Sequence, residues 1–360
     1  MPTVTELIQE EIARHEVISF ARFMTLALYT PVVGYYEQPA AGPGRAGDFY
    51  TSVSVGSFFG ELLAFEFSGW LAERPVPCQI VEAGAHDGRL AADILGWLDR
   101  HRPGLAAGLE YWIIEPSPTR RAWQEAGLAP WAGRVRWWTD WSELPAEGVS
   151  GVIFSNELMD AFPVHRLVWS AAAGAWAEWG VGWSEDRFVW RPMPPGSPGV
   201  PHPVLPSELQ AVLPDGFTTE VRPTAPEWWS RAAHALRAGR LLTLDYGLTR
   251  EEFFTPGRAR GTARAYYHHR LVTDLLDRPG DQDLTAQVDF SALREAGEAA
   301  GLRTTEWQTQ AQFLTGILRH ILTGEKSFPR WTAAHNRQFQ ALTHPEHLGR
   351  AFRVLGQSRP

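Results

Sequence analysis

The sequence predicts an α/β protein with a doubly wound parallel sheet, because short apolar runs alternate along the chain with segments of helical periodicity. The first of these runs, Cys78–Ala83, leads into Gly84 and Gly88, and a helical segment follows. The length of 360 residues and the hydrophobic fraction of 44% are those of a globular protein with one large domain or two. Since open parallel sheets bind ligands at the carboxyl ends of their strands, functional residues are expected there.

The first part of the chain is predicted to form a helical cap. Residues 4–30 carry apolar side chains at helical spacing, and so does Phe58–Trp70 after a loop rich in Ala, Gly and Pro. We therefore expect two units, an N-terminal cap in residues 1–75 and a doubly wound α/β domain in residues 76–360.

Seven strands are predicted, and the first five alternate with helices in the manner of a parallel sheet. In chain order the predicted strands are Cys78–Ala83, Tyr111–Glu115, Val135–Trp138, Gly151–Ser155, Leu241–Tyr246, Arg303–Thr309 and Arg350–Leu355. The predicted helices of this domain are Leu90–Arg100, Pro118–Ala126, Glu227–Ala238, Phe290–Gly301 and Phe313–Leu342, with a poorly periodic segment over 249–289.

A long insertion, residues 165–223, separates the fourth and fifth predicted strands. Its Trp-rich stretches alternate polar and apolar residues, which is typical of antiparallel strands, and a Pro-rich loop follows them. We expect an antiparallel subdomain that covers one edge of the sheet. Because loops and insertions carry variation in binding, substrate specificity is expected in this subdomain.

Charge and composition disfavour several classes of protein. A net charge of −8 is unfavourable for a protein that follows nucleic-acid phosphates. The single cysteine, Cys78, cannot form an intrachain disulfide, and the twelve histidines show no metal-ligand spacing. The N-terminal residues are rich in Glu and lack the basic start of a signal peptide, and no apolar run reaches membrane-spanning length. We expect a cytoplasmic protein that binds no metal, nucleic acid or membrane.

The segment from Glu82 to Gly88 has the residues of a ligand-binding turn. A strand that enters Gly-x-x-x-Gly before a helix turns tightly and presents N–H groups of the helix N-terminus to a ligand. A dinucleotide site needs Gly-x-Gly-x-x-Gly, but His86 stands in the middle position and Arg89 in the last, which disfavours NAD and FAD. Glu82 instead suits the ammonium group of S-adenosylmethionine, although such a turn by itself occurs in many α/β proteins.

Acidic residues follow two further strands. Glu115 ends the second strand, where a carboxylate either accepts hydrogen bonds from both hydroxyls of a ribose or is solvated. Asn156, Glu157 and Asp160 follow the fourth strand, where the order of the strands is expected to reverse. Two carboxylates at this spacing can bind a guanidinium group or take a proton, and the same residues also fit a helix cap.

Two more polar segments complete the set. Asp245-Tyr246-Gly247 ends the fifth strand and is expected at the mouth of the same cleft. The run 281–290 is acidic, and Asp289 is most simply the N-cap of the next helix, with substrate contact left open. The chain contains neither a Gly-x-Ser-x-Gly nucleophile turn nor a Walker loop, which disfavours hydrolases and NTPases.

Together these segments resemble the MidA-like family of class I S-adenosylmethionine-dependent methyltransferases, which includes the mitochondrial complex I assembly methyltransferase. The resemblance spans nearly the whole chain, and several long motifs in the family's order are more specific than one glycine loop. The motifs are Phe20–Tyr36, Gly47–Ser52, Phe59-Gly60-Glu61, Asn156–His165, Asp245-Tyr246-Gly247 and Gln282–Phe290.

The resemblance implies a seven-stranded, Rossmann-like methyltransferase sheet with S-adenosylmethionine as cofactor. The resemblance also implies the residues that bind this cofactor, in addition to Glu82. The loop that covers the cofactor would contain Gly47, Asp48, Thr51 and Ser52. Gly84 and Gly88 would form the floor beneath the cofactor, and Glu115 would hold its ribose. The residues implied to face the transferable methyl group are Asn156, Glu157 and Asp160.

Three functions follow as hypotheses. The mitochondrial member methylates a protein arginine, for which Glu157 and Asp160 would bind the guanidinium group. A small-molecule O- or N-methyltransferase is the alternative, with Asp160 or His165 as the base for an oxygen acceptor. A catalytically silent assembly factor is the third, because the family has Gly-Pro-Gly-Arg-Gly where this chain has Gly84-Ala85-His86-Asp87-Gly88. The expected partner is a protein or small-molecule methyl acceptor, and a homodimer stays open.

Overall fold

The computed structural model describes residues 2–38, 51–72, 74–268, 270–324, 328–329 and 331–360. The helices in these parts of the chain are α1 (Val4–His15), α2 (Phe20–Tyr29), α3 (Phe58–Leu71), α4 (Arg89–His101), α5 (Pro103–Ala106), α6 (Pro118–Gly127), α7 (Ser207–Val212), α8 (Thr224–Ala235), α9 (Arg250–Phe253), α10 (Phe290–Ala299), α11 (Gln310–Leu322), α12 (Ala333–Thr343) and α13 (Leu348–Ala351). The strands are β1 (Ile18–Ser19), β2 (Cys78–Ala83), β3 (Leu109–Ile114), β4 (Val135–Trp138), β5 (Val149–Asn156), β6 (His165–Ser170), β7 (Ala175–Ser184), β8 (Arg187–Pro192), β9 (Thr218–Val221), β10 (Leu236–Leu248), β11 (Arg264–Tyr267), β12 (Arg270–Val272), β13 (Asp283–Thr285), β14 (Val288–Asp289), β15 (Arg303–Thr309) and β16 (Phe352–Arg359).

The seven predicted strands form the large sheet, in the order β15-β16-β10-β5-β2-β3-β4, and the short β14 adds to β10. From β4 to β10 neighbouring strands run parallel, whereas β16 is antiparallel to both of its neighbours. The chain passes from β2 to β3 and β4 on one side and continues with β5 on the other. The doubly wound α/β fold is confirmed, and the strand order reverses between β2 and β5.

Both faces of the sheet are covered by helices. Side chains alternate along each strand, so Ile80 of β2 belongs to the core that includes residues of α3, α4 and α11, whereas the next residue, Val81, belongs to the core that includes residues of α8 and α10. A strand buried on both sides reads as a continuous apolar run rather than as an alternating one. This burial is the reason why β2, all of whose residues are buried, could be located in the sequence with its observed bounds.

Two of the predicted helices differ from the observed ones, for different reasons. The predicted helix Glu227–Ala238 ends earlier, at Ala235, because residues from Leu236 onwards pair with β5 and extend β10. The predicted helical stretch Phe313–Leu342 is two helices, α11 and α12. The first ends before Gly324, whose φ of +71° is the left-handed conformation in which helices commonly end.

The insertion between β5 and β10 forms a second, antiparallel sheet, in the order β1-β7-β6-β9 with β8 on β7. It pairs with β1, and its apolar residues, such as Val181 and Phe188, share a core with Ile8 of α1 and Phe23 of α2. The antiparallel insertion is confirmed. The expectation that it covers an edge of the large sheet is wrong, because the edge strands are β4 and β15 and the insertion packs on the N-terminal helices instead.

The N-terminal cap is distributed over two cores. Helices α1 and α2 pack on the insertion, whereas α3 packs on the parallel sheet.

The segment 249–289, which has little periodicity, contains the three-stranded sheet β12-β11-β13, whose strands are too short to produce a pattern. The prediction that residues 1–75 and 76–360 are separate units stays a prediction. In the described parts of the chain, no helix combines the length and apolarity needed to cross a membrane.

Gly239 allows β10 to lie close to β5, and these two strands carry the site described below. A Cβ atom on Gly239 would lie 1.9 Å from the carbonyl oxygen of Gly151, and the φ of Gly239 is +125°, which L side chains rarely adopt. We expect Gly239→Ala to lower the free energy of unfolding by roughly 2–4 kcal/mol, because strain and a backbone clash add. Chemical denaturation followed by circular dichroism measures this loss.

Gly316→Ala is the matched control, since Gly316 lies within α11 with open space around its Cα. This change should stabilise the protein by at most about 1 kcal/mol through helix propensity. Equal effects of the two substitutions would show that the contact between β5 and β10 does not limit stability.

Candidate active site

A cleft lies at the carboxyl edge of β2, β3 and β5. Ala83 pairs with Ile114 on one side and with Ser155 on the other, so the residues that follow these strands meet at one edge of the sheet. The strand order reverses here, which is where open α/β sheets bind ligands. Two cavities open into the cleft and share Tyr36, Gly84, His86 and Glu157.

The two cavities differ in chemistry. The smaller, of about 110 Å³, we call the acidic lobe, and its ionisable side chains are mostly carboxylic: Glu82, Asp87, Glu157, Asp160 and Asp283, with Tyr35, Tyr36 and His86. The larger, of about 400 Å³, we call the aromatic lobe, and its walls include Tyr29, Ile114, Trp141, Leu158, Phe162 and Trp228, with Glu115 and Asp140. An anionic cavity next to an apolar one suits a ligand that has a cationic end and a flat ring system.

Glu82 lines the acidic lobe from the end of β2. Its side chain is buried, and the Tyr111 hydroxyl donates a hydrogen bond of 2.5 Å to its Oε2. Burial raises the pKa of Glu82 to about 8, and the bond from Tyr111 offsets only part of that rise. A cationic group entering the lobe would therefore favour the ionised form of Glu82, as expected for a partner of the cofactor's ammonium group.

The turn after Glu82 is shaped by left-handed backbone. Gly84 and Gly88 have φ values of +77° and +83°, and a Cβ on Gly84 would lie 2.8 Å from Cδ1 of Leu158. Gly88 is the N-cap of α4. Between them His86, which is not a glycine, also has a positive φ, of +46°, and the residue lines both lobes.

Glu115 reaches the aromatic lobe but is already bound on several sides. Its Oε1 accepts a hydrogen bond from the main-chain N–H of Ser117 (2.9 Å) and forms an ion pair with Arg120 (3.0 Å). Its Oε2 accepts a bond of 3.0 Å from Gln124. A ribose hydroxyl would have to share the carboxylate with these donors, so the predicted ribose role stays a prediction.

Glu157 projects between the two lobes from a left-handed residue with φ of +51°. Its Oε1 accepts bonds of 3.0 Å from the main-chain N–H of Ser52 and from Asn156 Nδ2. Its Oε2 and Asn156 Oδ1 are buried without a hydrogen-bond partner among the described residues. Burial raises the pKa of Glu157 to about 8. Glu157 therefore offers an acceptor atom that a cationic ligand can satisfy.

Asp160 and Asp283 face the same lobe. Burial raises the pKa of Asp160 to about 6, although the positive charge of Arg222 lowers it. Asp283 is buried and accepts a bond of 2.7 Å from the Tyr36 hydroxyl, which fixes the ring of Tyr36 at the junction of the lobes. Together with Glu157, these residues place three carboxyl groups around one small cavity.

Two supporting residues of the site have roles that sequence reasoning missed. Arg222, at the end of the insertion, donates hydrogen bonds of 2.8–3.1 Å to the main-chain carbonyls of Asp160, Phe162, Ala286 and Gln287. Asp245 was expected at the mouth of the cleft, but it is fully buried and accepts bonds from the main-chain N–H groups of Leu158 and Met159. Both residues hold the segment that carries Glu157 and Asp160. No local sequence pattern reveals such contacts.

The remaining predicted residues divide between the cleft and other places. Thr51 lines the acidic lobe, whereas Ser52 is fully buried, with its Oγ donating to Gln310 Oε1 (3.1 Å). Gly47 and Asp48 lie outside the described residues. His165, a candidate base, lies on the insertion sheet with Nδ1 2.6 Å from Glu178 Oε1, and it does not line either lobe. The structure does not bring His165 to the cleft.

The residues of the cleft fit S-adenosylmethionine. Glu82 offers negative charge for the cofactor's ammonium group, and the aromatic lobe offers flat apolar walls for its adenine. Across the ranges that the structure describes, no group of three or more His, Cys, Asp or Glu side chains is placed to hold a metal ion.

Comparisons with known proteins agree with this fit. Residues 64–308 match a family model described as "Putative S-adenosyl-L-methionine-dependent methyltransferase". The mitochondrial protein arginine methyltransferase NDUFAF7 of Mus musculus is 30% identical, over 93% of this chain and 79% of that protein. Its counterpart in Homo sapiens is 26% identical, over 93% of this chain and 78% of that protein.

A solved structure resembles the whole chain. A crystal structure of a protein from Burkholderia thailandensis, bound to S-adenosyl-homocysteine, is 31% identical and has a TM-score of 0.81. The similarity covers 99% of this chain and 92% of that one. S-adenosyl-homocysteine is what remains of S-adenosylmethionine once its methyl group has been given up.

The raised pKa of Glu157 predicts a pH-dependent stability of the cofactor-free protein. A carboxyl group whose pKa rises from 4.5 in the unfolded chain to about 8 in the folded one binds its proton more tightly in the folded state. Its contribution to stability is therefore lost as the pH rises through this interval. The side chain of Glu157→Gln stays neutral at every pH. Between the unfolded and the folded pKa of Glu157, we therefore expect the free energy of unfolding of this variant to rise relative to that of the wild type, by at most about 1.4 kcal/mol per pH unit.

Urea denaturation of both proteins at a series of pH values measures the difference in their free energies of unfolding. This difference should stop growing once the pH exceeds the pKa of Glu157 in the folded protein. Parallel stability curves for wild type and variant would show that the carboxyl group of Glu157 is not desolvated in the folded protein.

Proposed function

The chain belongs to this family of S-adenosylmethionine-dependent methyltransferases, and on that basis we propose that it methylates a guanidinium nitrogen of an arginine in a protein. The observation that carries the proposal is the acidic lobe. The carboxyl groups of Glu157, Asp160 and Asp283 surround one small cavity, and unpartnered oxygens of Glu157 and Asn156 are buried beside it. A planar cation with several N–H donors matches this set of acceptors.

Binding of the guanidinium group offsets the cost of burying these carboxyl groups. Glu157 and Asp160 have pKa values raised by desolvation, so their ionised forms are costly while the lobe holds no cation. A guanidinium group inside the lobe pairs with both of them and favours ionisation. The acceptor is therefore selected by charge and by planar hydrogen bonding rather than by size alone.

Tyr36 provides the aromatic contact to the cation. Its ring lies at the junction of the two lobes, 5.6 Å from the ring of Tyr29, and its hydroxyl is held by Asp283. Aromatic faces attract guanidinium groups, and a ring fixed in this way keeps the acceptor nitrogen in one plane.

The transfer itself needs alignment and the removal of one proton. Bound S-adenosylmethionine supplies an electrophilic methyl group on its sulfonium sulfur. Asn156 and Glu157 orient the acceptor nitrogen toward the line along which the methyl group moves. A methylated guanidinium group keeps a single positive charge, so one proton leaves the nitrogen, and the carboxylate of Glu157 accepts it. The same burial that raises the pKa of Glu157 in the cavity without a cation gives its carboxylate the proton affinity that a general base needs.

The relatives support the same acceptor. The proteins of Mus musculus and Homo sapiens that align over most of this chain carry the name protein arginine methyltransferase. The cytoplasm remains our proposed location for this chain, as a separate proposal that the acceptor does not depend on.

The experiment that tests the acceptor uses S-adenosylmethionine with a tritiated methyl group and a lysate of a strain that lacks the enzyme. We expect the label in discrete protein bands, and acid hydrolysis of those bands should release labelled methylarginine. Label only in the small-molecule fraction would overturn the proposal in favour of a small-molecule methyltransferase. Absence of transfer from an enzyme that binds no cofactor in calorimetry would point to a non-catalytic assembly factor.

Variants of the acidic lobe separate acceptor binding from cofactor binding. Glu157→Gln should lower kcat/KM for the labelled acceptor about 100-fold, because the buried guanidinium group loses a charged partner. Asp160→Asn should act in the same direction. Calorimetry should still show cofactor binding by both variants.

Glu66→Gln is the matched control, since Glu66 is a buried carboxyl group on α3 that lies 3.6 Å from His320 and does not line either lobe. It should leave transfer unchanged. Full activity of Glu157→Gln would show that Glu157 does not bind the acceptor.

A further inference from the structure

We propose that Tyr111 is a positioning residue for the cofactor, because its hydroxyl holds the carboxyl group of Glu82 ready for the ammonium group of S-adenosylmethionine. The inference rests on S-adenosylmethionine as the cofactor, and it does not depend on which acceptor is methylated. It follows from the register of two neighbouring strands and from the surroundings of one buried carboxyl group.

The register of the parallel sheet brings Tyr111 close to Glu82. Tyr111 of β3 pairs with Ile80 of β2, and Glu82 lies two residues further along β2. Since side chains two residues apart in a strand point to the same face, Ile80 and Glu82 share a face, and Ile80 shares its core with Tyr111. The phenol reaches one diagonal step along the sheet, and its hydroxyl donates a hydrogen bond of 2.5 Å to Glu82 Oε2. Backbone pairing therefore fixes this contact.

Both ends of the contact are shielded from water. Tyr111 is fully buried, and Glu82 is 2% exposed. Among the residues that the structure describes, Tyr111 is the single hydrogen-bond donor to the side chain of Glu82. The carboxyl group therefore depends on this one bond for its direction and for the stability of its charged form.

The other influences on Glu82 oppose its ionisation. Burial is the largest cause of the raised pKa of Glu82, and the negative charges of Asp87 and Asp93 raise it further. The bond from Tyr111 acts in the opposite direction. Without that bond, ionising Glu82 would cost more, and an ammonium group would gain less by pairing with it.

Glu82 differs from the other carboxyl groups of the acidic lobe in its position. It lies at the end of the strand that leads into the turn Gly84–Gly88, whereas Glu157 and Asp160 follow β5. Glu157 projects at the junction of the two lobes, and Asp160 already faces the positive charge of Arg222. An ammonium group placed over the turn is therefore expected to pair with Glu82.

A thermodynamic cycle tests the role of Tyr111 by calorimetry on the full chain, without any acceptor. One ligand is S-adenosylhomocysteine, whose ammonium group is its single positive charge. The other is its deaminated analogue, which keeps the adenosine, the thioether and the carboxylate. The ratio of the two dissociation constants measures the preference for the ammonium group, and all titrations of the cycle use one pH.

We expect the wild type to bind S-adenosylhomocysteine about tenfold more tightly than the deaminated analogue, the effect of one charge-assisted hydrogen bond. Tyr111→Phe, which removes only the hydroxyl, should reduce this preference to within about threefold and leave the affinity for the deaminated analogue unchanged. Glu82→Gln should abolish the preference. The double variant should match Glu82→Gln, because Tyr111 acts through Glu82.

The number of protons released on binding separates this role from a merely structural one. Glu82 has a pKa of about 8 in the free protein, and pairing with an ammonium group ionises it. Loss of the Tyr111 hydroxyl raises that pKa further, so at about pH 8 Tyr111→Phe should release up to about half a proton more per ligand than the wild type. Calorimetry in buffers of different ionisation enthalpy measures this number. The other acids and the histidine around Glu82 are the same in both proteins and cancel in the difference: His86, Asp87, Asp93, Glu157, Asp160 and Asp283.

Thr243→Val is the matched control. The Thr243 hydroxyl is also buried in the large sheet, where it accepts a hydrogen bond of 2.9 Å from Ser155 Oγ, and Thr243 lines neither lobe. This variant should keep the tenfold preference of the wild type, although it too loses a buried hydrogen bond. An equal loss of preference in Thr243→Val would show a general effect of weakening the sheet and would overturn the inference.

Four other results would also overturn it. The wild type could show no preference for the ammonium group, or the preference could survive in Glu82→Gln, which would assign the ammonium group to another carboxyl group. Survival of the full preference in Tyr111→Phe would show that Glu82 needs no positioning. Equal losses of affinity for both ligands in Tyr111→Phe, with unchanged proton release, would show a structural role alone. Each of these results leaves the proposed arginine methylation standing, because methyl transfer to protein is measured separately.

Discussion

Desolvated carboxyl groups in one cavity are the constraint on which the arrangement of the cleft depends. Glu82 and Glu157 have pKa values of about 8 and Asp160 of about 6, in each case because burial makes the charged form costly. Such a cavity favours the binding of cations, because a sulfonium, an ammonium or a guanidinium group that enters it stabilises the ionised carboxylates. The fold must hold the carboxyl groups in place while the cavity holds no cation.

Several buried contacts from distant parts of the chain provide that support. Asp245 accepts hydrogen bonds from the main-chain N–H groups of Leu158 and Met159, and Arg222 ties the same segment to residues 286 and 287. Ser52 donates its N–H to Glu157, and its hydroxyl is held by Gln310, whose amide in turn donates to the carbonyl of Leu342. The C-terminal helices thus reach the cleft through buried polar groups, and such networks are costly to leave half-satisfied.

The centre of the large sheet was predictable because burial on both sides of a parallel strand leaves a direct mark on the sequence, and Cys78–Ala83, which is buried throughout, was predicted with its observed bounds. The edge strands Val135–Trp138 and Arg303–Thr309, which are only partly buried, were also predicted with their observed bounds, and the insertion was correctly predicted as antiparallel. The errors arose where periodicity is a poor guide. Backbone pairing with β5 converts the end of a predicted helix into β10, and the insertion packs on α1 and α2 instead of a sheet edge. These outcomes depend on contacts between residues far apart in the chain, which local spacing does not encode.

For the site, the sequence by itself determined which carboxyl groups follow the strand ends. Glu82, Glu115, Glu157 and Asp160 could be singled out because parallel strands bring their carboxyl ends to one edge. Only the tertiary structure decided how each is used: Glu115 is held by Arg120 and Gln124, Asp245 supports the main chain, and His165 pairs with Glu178 away from the cleft. It also placed His86 in both lobes of the cleft. The physical reason is that a carboxyl group's role depends on its desolvation and on its partners, and both are set by residues that meet only in the folded chain.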